Sequence, residues 1–379
     1  MIPPRFPRIC FGLIALAFTS SIAPAQASES DEGPEIVWHN ITDWDVEGRA
    51  WTDHERMRWF DRFPAQAKAQ LTPQVWNLSR SSTGMISRFR TDSSFIRLNY
   101  TLMSDNLNGI NMSPIGASGF DLYARDDSGE WRWVESMGPK AATGEEDIVS
   151  GLAPGEREYA LYLPLRNGIE NLEIGVDEAS AFVGLTPRET RPIVFYGTSI
   201  NHGASASRPG MVHPAILGRW FDRPVVNLGF SGNGRMHEAV GDWLVKIDAA
   251  IYVIDCLPNM GPDAVRARTI PLVKQLRAAR PDTPIVLVED RRNVNSWILP
   301  ARNAHHDANH AALMESFATL QAGGVEGLYY IPGDDLLGHD SEGTADGSHP
   351  NDLGFMRQAK VFEPILAEAL ERAARVSSK

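Results

Sequence analysis

Ile193-Val194-Phe195-Tyr196-Gly197-Thr198-Ser199-Ile200 is an apolar run that breaks abruptly into glycine and serine. A short run without polar alternation suits a strand buried on both faces, as in a parallel sheet covered by helices. The same cadence of strand, loop and helix repeats downstream. Val225-Val226-Asn227, Ala249 to Ile254, Ile285 to Val288 and Leu328-Tyr329-Tyr330-Ile331 read as strands. His213 to Phe221, Met236 to Lys246, Ala264 to Ala279, Ala301 to Gly323 and Asp352 to Ala374 read as helices. Residues 191–375 are therefore expected to form a doubly wound, parallel-sheet α/β domain.

Upstream the period changes. Gly84 to Arg90, Phe95 to Tyr100, Phe120 to Arg125, Trp131 to Val134, Glu158 to Leu163 and Leu172 to Val176 alternate or nearly alternate apolar with polar residues, the mark of half-buried antiparallel strands. Asp126-Asp127-Ser128-Gly129 supplies turn chemistry between two of them, and Ala153-Pro154-Gly155 introduces another. Residues 34–187 are expected to form a β-sandwich of jelly-roll type. The change of pattern falls at Thr186 to Pro192, and no internal repeat is evident.

The N-terminus carries Arg5 and Arg8, an apolar stretch from Ile9 to Phe18, and Ala25-Gln26-Ala27. Residues 1–27 read as a secretory signal, because the apolar run is too short and too interrupted to span a bilayer. Export to the periplasm or beyond follows. Cleavage would remove Cys10, leaving Cys256 without an intramolecular partner and stability resting on burial alone. The formal net charge of -12 becomes about -14 without Arg5 and Arg8. Such a surface disfavours nucleic acid, which needs clustered cations, and suits a neutral polysaccharide or small ester.

Five clusters lie where apolar runs give way to Gly, Ser, Asn or Asp: Gly197 to Ile200, Asn227 to Gly234, Asp255 to Asn259, the end of Ile285 to Glu289, and Asp346-Gly347-Ser348-His349-Pro350-Asn351. Ser199 can project from a strand's carboxyl end as a nucleophile, provided a base removes its proton. His349 is the candidate base, and Asp346 can orient its imidazole. Gly232 and Ser199 can offer backbone N–H groups to an oxyanion, and Asn259 its side-chain amide. Each residue alone has a plainer reading: a turn serine, a turn glycine, a helix cap. Their order along one α/β pattern favours the catalytic one.

That order, Gly-x-Ser, Ser-Gly-Asn, Pro-Asn and Asp-x-x-His, resembles the SGNH, or GDSL-type, esterase and lipase superfamily. Its named residues would fall on Ser199, Gly232, Asn259 and His349, and its last-block aspartate on Asp346. Gly119-Phe120-Asp121-Leu122-Tyr123 is similar to the Gly-x-Asp-Leu-Tyr signature of the branch with an N-terminal β-sandwich. Thr198 stands where many members carry Asp, and Leu257-Pro258-Asn259-Met260 replaces Gly-x-Asn-Asp. The resemblance implies an SGNH hydrolase domain preceded by a β-sandwich, and hydrolysis of a short acyl ester, acetyl on a carbohydrate above all, with no metal or organic cofactor. A lipid or other small-molecule acyl esterase and a non-catalytic carbohydrate-binding protein are the alternatives.

Other residues invite a functional reading. Arg208 and Arg235 follow the first two blocks and could contact substrate or form structural ion pairs. His306 and His310 have the spacing of a metal pair, but a solvated helix face is the expectation without a third ligand. Glu289 and Asp290 could shape the pocket rim. Seven of the ten tryptophans precede residue 188 and are expected mainly in the core or at a domain interface. Cys256 is expected to be a buried small residue.

Overall fold

In the computed structural model, residues 34–377 are described, so the signal read at 1–27 and Cys10 lie outside the described residues. Nine antiparallel strands occupy the first half: β1 (Ile36–Asn40), β2 (Ile86–Thr91), β3 (Phe95–Leu102), β4 (Phe120–Arg125), β5 (Trp131–Met137), β6 (Thr143–Ser150), β7 (Arg157–Tyr162), β8 (Ile169–Asp177) and β9 (Phe182–Leu185). They form a four-stranded sheet, β1-β8-β3-β6, and a five-stranded sheet, β5-β4-β7-β2-β9. Alternate residues of β3 and β8, such as Leu98 opposite Ile174, enter one apolar cluster with Phe89, Phe120, Leu122 and Leu161 of the other sheet. That shared core accounts for the period of two.

The strands that the alternation pattern did not announce, β1, β6 and β9, are all edge strands. Thr143–Ser150 carries Glu145, Glu146 and Asp147, charges that an edge tolerates and that discourage further pairing. Two short helices, α1 (Pro73–Leu78) and α2 (Pro114–Ser118), interrupt this half.

The second half has five parallel strands, β10 (Ile193–Gly197), β11 (Val225–Gly229), β12 (Ile251–Asp255), β13 (Ile285–Val288) and β14 (Leu328–Ile331), in the order β11-β10-β12-β13-β14. Helices α3 (His213–Trp220), α4 (Glu238–Leu244), α5 (Pro262–Ala279), α6 (Pro300–Ala322) and α7 (Asp352–Ser377) cover it. Val194 and Tyr196 of β10 enter the cluster beneath α4, α5 and α6, whereas Ile193 and Phe195 enter the one beneath α3 and α7. Burial on both faces explains the continuous apolar run. The helix expected from Met236 begins two residues later, since Met236 has a left-handed φ of 52° that a helix cannot include.

The two halves are not independent. From Ile36 onward the chain forms one compact unit. The segment between β1 and β2 sends Trp51, Phe63 and Trp76 into the α/β core beside Phe230 and Trp243. Trp51 Nε1 donates to the Trp243 carbonyl at 3.1 Å, and Trp243 Nε1 to Gln70 Oε1 at 2.8 Å.

Candidate active site

The sheet order puts β10 between β11 and β12, so the connection from β10 runs to one side and the next, from β11, crosses back past β10 to β12. The crevice at the strands' carboxyl ends at such a switch point is where open α/β sheets bind ligands. Ser199 lies in the turn just after β10. Its backbone is fixed locally: the Thr198 N–H donates to Asn201 Oδ1 at 3.2 Å, and the Ser199 carbonyl accepts from the Ala204 N–H at 2.9 Å. A Cβ on Gly234 would come within 2.0 Å of the Gly197 carbonyl oxygen, so the turns after β10 and β11 can touch only through glycine.

Ser199 Oγ stands 2.9 Å from His349 Nε2, and His349 Nδ1 stands 2.8 Å from Asp346 Oδ2. Asp346 Oδ1 accepts the Ser348 and His349 backbone N–H groups at 3.0 and 2.8 Å. Burial alone would raise the Asp346 carboxyl, but the His349 backbone and ring hydrogen bonds outweigh it and hold the group below its ordinary value. The ionised carboxylate favours a proton on Nδ1, leaving Nε2 free to accept from Ser199.

A further partner comes from the β-rich half. Asn111 Nδ2 donates to Asp346 Oδ2 at 2.9 Å, on the oxygen that His349 also uses. Asn111 is left-handed at φ 59°, at the tip of a turn closed by reciprocal Gly109–Met112 backbone hydrogen bonds of 3.1 Å. Asparagine tolerates that conformation better than most residues.

Gly232 follows β11 with φ 69° and open space where a Cβ would point. Asn259 ends the turn after β12, and its Oδ1 is buried without a hydrogen-bond partner. Among the described residues, the Ser199 and Gly232 backbone N–H groups and the Asn259 amide donate to no protein acceptor. These donors follow three neighbouring strands at one sheet end.

Beside Gly232, Ser231 Oγ accepts from Arg166 Nη1 and lies 3.1 Å from His202 Nδ1, whose Nε2 is 2.9 Å from Ser81 Oγ. His202 is held well below its ordinary value by burial first, then by Arg166 and Arg62. Beneath the turn after β12, Asp255 pairs with Arg291 through Nη2 at 2.6 Å, and Arg291 Nε donates to Gln358 at 2.7 Å.

Several expectations are corrected. Arg208 does not stand free for substrate: it donates to Asp121 Oδ2 at 2.7 Å and to Tyr123 Oη at 2.6 Å, while the Gly210 N–H also donates to Asp121 at 2.7 Å. The Asp and Tyr of Gly119 to Tyr123 thus tie β4 to the loop after Ser199. Arg235 Nε donates to the Gly232 carbonyl at 2.8 Å and braces that turn. His306 is not on a solvated face: it is 4% exposed, with Nδ1 2.9 Å from Asp290 Oδ2, and Nε2 accepts the Asn293 N–H at 3.2 Å. No metal-binding group of three or more His, Cys, Asp or Glu occurs among the described residues. Glu289 is engaged by Tyr330 Oη at 2.6 Å and the Gly333 N–H at 2.7 Å. Asp290 lines a pocket with Pro258, Asn293, Arg302, His305 and Ser348, the residue preceding His349.

Cys256 is buried and Trp44, Trp51 and Trp76 are core residues, whereas Trp133 is half exposed. Asn111 and Arg166 escaped the sequence reading, for no short-range pattern links them to the site. No helix of the described residues is long and apolar enough to cross a membrane.

A model of the GDSL-like lipase/acylhydrolase family matches residues 190–367, and a model for the N-terminus of SGNH-hydrolase-type esterases, called GxDLY, matches residues 36–182. A crystal structure from Bacteroides ovatus, described as a GDSL-like lipase, is 34% identical and covers 89% of this chain and 98% of that one, at a TM-score of 0.84. Salicylyl-acyltransferase SsfX3 of a tetracycline biosynthetic pathway, 18% identical, covers 90% of this chain and 96% of its own at TM-score 0.67. A family two carbohydrate esterase from Cellvibrio japonicus, 13% identical, covers 90% and 99% at 0.57. These last two share the fold. No curated protein matches in sequence.

Proposed function

Because the chain belongs to the SGNH/GDSL-type hydrolase superfamily, in the branch marked by the Gly-x-Asp-Leu-Tyr region, we propose that it is an exported serine esterase removing short acyl groups, acetyl above all, from a carbohydrate. The observation that carries this reading is the relay from Ser199 Oγ to His349 Nε2 at 2.9 Å and from His349 Nδ1 to Asp346 at 2.8 Å, beside unused donors.

Ser199 Oγ attacks the acyl carbonyl as His349 Nε2 takes its proton. The oxyanion is held by the N–H groups of Ser199 and Gly232 and by the Asn259 amide, each such donor contributing roughly 3 to 4 kcal/mol to the transition state. Collapse expels the sugar hydroxyl, which receives the proton from His349. A water, deprotonated by the same imidazole, then attacks the acyl-enzyme and releases the carboxylic acid. Asp346 holds the ring and stabilises its cationic form.

The branch and the absence of a long apolar lid between the blocks support a small acyl group. Distant likeness to carbohydrate esterases supports a sugar alcohol. In this reading residues 34–187 are a sandwich of jelly-roll type, residues 191–375 the hydrolase domain, and residues 1–27 the export signal.

Acetate release from a panel of acetylated plant polysaccharides, run beside 4-nitrophenyl esters of increasing chain length, tests the proposal. Release from a glycan is expected, with Ser199→Ala and His349→Ala each lowering kcat about 10⁴-fold or more while the fold is kept. Activity confined to long-chain esters would redirect the assignment to lipid, and full turnover by Ser199→Ala would refute the mechanism.

A further inference from the structure

Arg166 sits in the loop between β7 and β8, pinned by its backbone N–H to the Ala117 carbonyl at 2.8 Å. Its Nη1 donates to Ser231 Oγ, next to the oxyanion glycine. Its Nε and Nη2 have no protein acceptor, yet neither is sealed from solvent. These atoms form the side-on edge of the guanidinium, two parallel N–H groups spaced for a carboxylate.

No carboxylate of the described residues pairs with Arg166. Several other buried or half-buried arginines do have one: Arg88 and Arg188 share Glu47, Arg208 has Asp121, and Arg291 has Asp255. The neighbours add positive charge. Arg62 is buried and donates only to the carbonyls of Leu78, Asn227 and Gly229 and to Ser81 Oγ, and it is pushed down to about 9 by burial and then by Arg166. His202, whose Nδ1 lies 3.1 Å from the same Ser231 Oγ, is held neutral by burial and adds no compensating negative charge. In a chain with 48 acidic residues against 36 basic ones, two arginines left without a carboxylate beside the oxyanion turn are conspicuous. A partly desolvated cation is costly unless something compensates it.

We propose that the ester cleaved at Ser199 carries a carboxylate, as an acylated uronic-acid unit does, and that the Nε and Nη2 edge of Arg166 binds it. The inference rests on the esterase reading and narrows its substrate. The net acidity of the protein describes the whole surface; this site is its local exception. A bidentate charged pair raises kcat/KM for the anionic substrate without being needed for the chemistry itself.

The test uses two matched acetate esters, of methyl glucuronide and of methyl glucoside, which differ only in the carboxylate. The wild type is expected to favour the glucuronide by about tenfold to a hundredfold, the range of a hydrogen bond to a charged group. Arg166→Gln keeps a donor for Ser231 but no charge, and should abolish that preference, the glucuronide losing at least about tenfold more kcat/KM than the glucoside. The preference in the wild type should also fall with added salt, a readout independent of how the variant folds. Equal kcat/KM for the two sugars in the wild type, or an equal loss for both in Arg166→Gln, would overturn the proposal, the latter making Arg166 only a brace for Ser231. Undiminished 4-nitrophenyl acetate turnover by Ser199→Ala would instead overturn the esterase reading beneath it.

Discussion

Asn111 shares Asp346 Oδ2 with the ring of His349, from 235 positions away in the chain. A second donor on that oxygen draws off negative charge that would otherwise stabilise the imidazolium. Asn111→Ala returns that charge and is therefore expected to move the acid limb of the pH–rate profile upward, while loss of the contact that orients the carboxylate lowers kcat/KM about three- to tenfold, the scale of one hydrogen bond. Asn111→Asp should move that limb further in the same direction, since it places a second carboxylate beside the first. A profile that merely shrinks, with its limbs in place, would reduce Asn111 to a structural contact. At this scale the relay was legible because each of its members sits in a turn whose residue types have few other uses. Asn111 and Arg166 were not, since the asparagine in Gly109-Ile110-Asn111 and the arginine in Leu165-Arg166-Asn167 read as ordinary loop residues. Only the tertiary fold brings them to Asp346 and Ser231.

At the scale of elements, the turn after β10 and helix α3 each bury a histidine, His202 at 2% exposure and His213 at none. Burial lowers both far below the ordinary imidazole value, with Arg166 and Arg62 adding to the effect at His202 and Arg291 at His213. The unfolded chain then binds protons that the folded protein refuses. Stability is unaffected above the unfolded value near 6.5 and falls as pH drops below it, by about 1.4 kcal/mol per pH unit for each histidine until the folded values are reached. Urea unfolding between pH 7.5 and 5 should show this loss, and His213→Asn should flatten the slope by about half. A slope unchanged by that substitution would remove His213 from the account. The parallel strands were legible within about two residues because burial on both faces leaves an unbroken apolar run. Edge strand β6 was not, because one unpaired margin permits charged sequence that looks like loop, and edge strands β1 and β9, of five and four residues, are too short to show a clear alternation.

Across the whole molecule, the break near residue 190 marks a change of sheet type rather than a line along which the protein comes apart. Trp51 stacks on Phe63 at 4.9 Å and meets Trp243 edge-on at 5.5 Å. Arg62 donates to the carbonyls of Asn227 and Gly229 on β11, at 3.0 and 2.9 Å. Removing residues before 191 would uncover Phe230 and Trp243 and leave two β11 carbonyls without their donor. A fragment of residues 191–375 is thus expected to bind a hydrophobic dye, to aggregate, and to lack esterase activity even with its triad intact. Trp51→Ala in the full chain should cost about 3 to 5 kcal/mol, as large aromatic truncations in cores do, and should lower the unfolding temperature of both halves together. Calorimetry distinguishes the possibilities. One transition that shifts as a whole fits a single cooperative unit, whereas two transitions, with only one displaced by Trp51→Ala, would mean that the halves fold independently and that the aromatic contacts merely join finished domains.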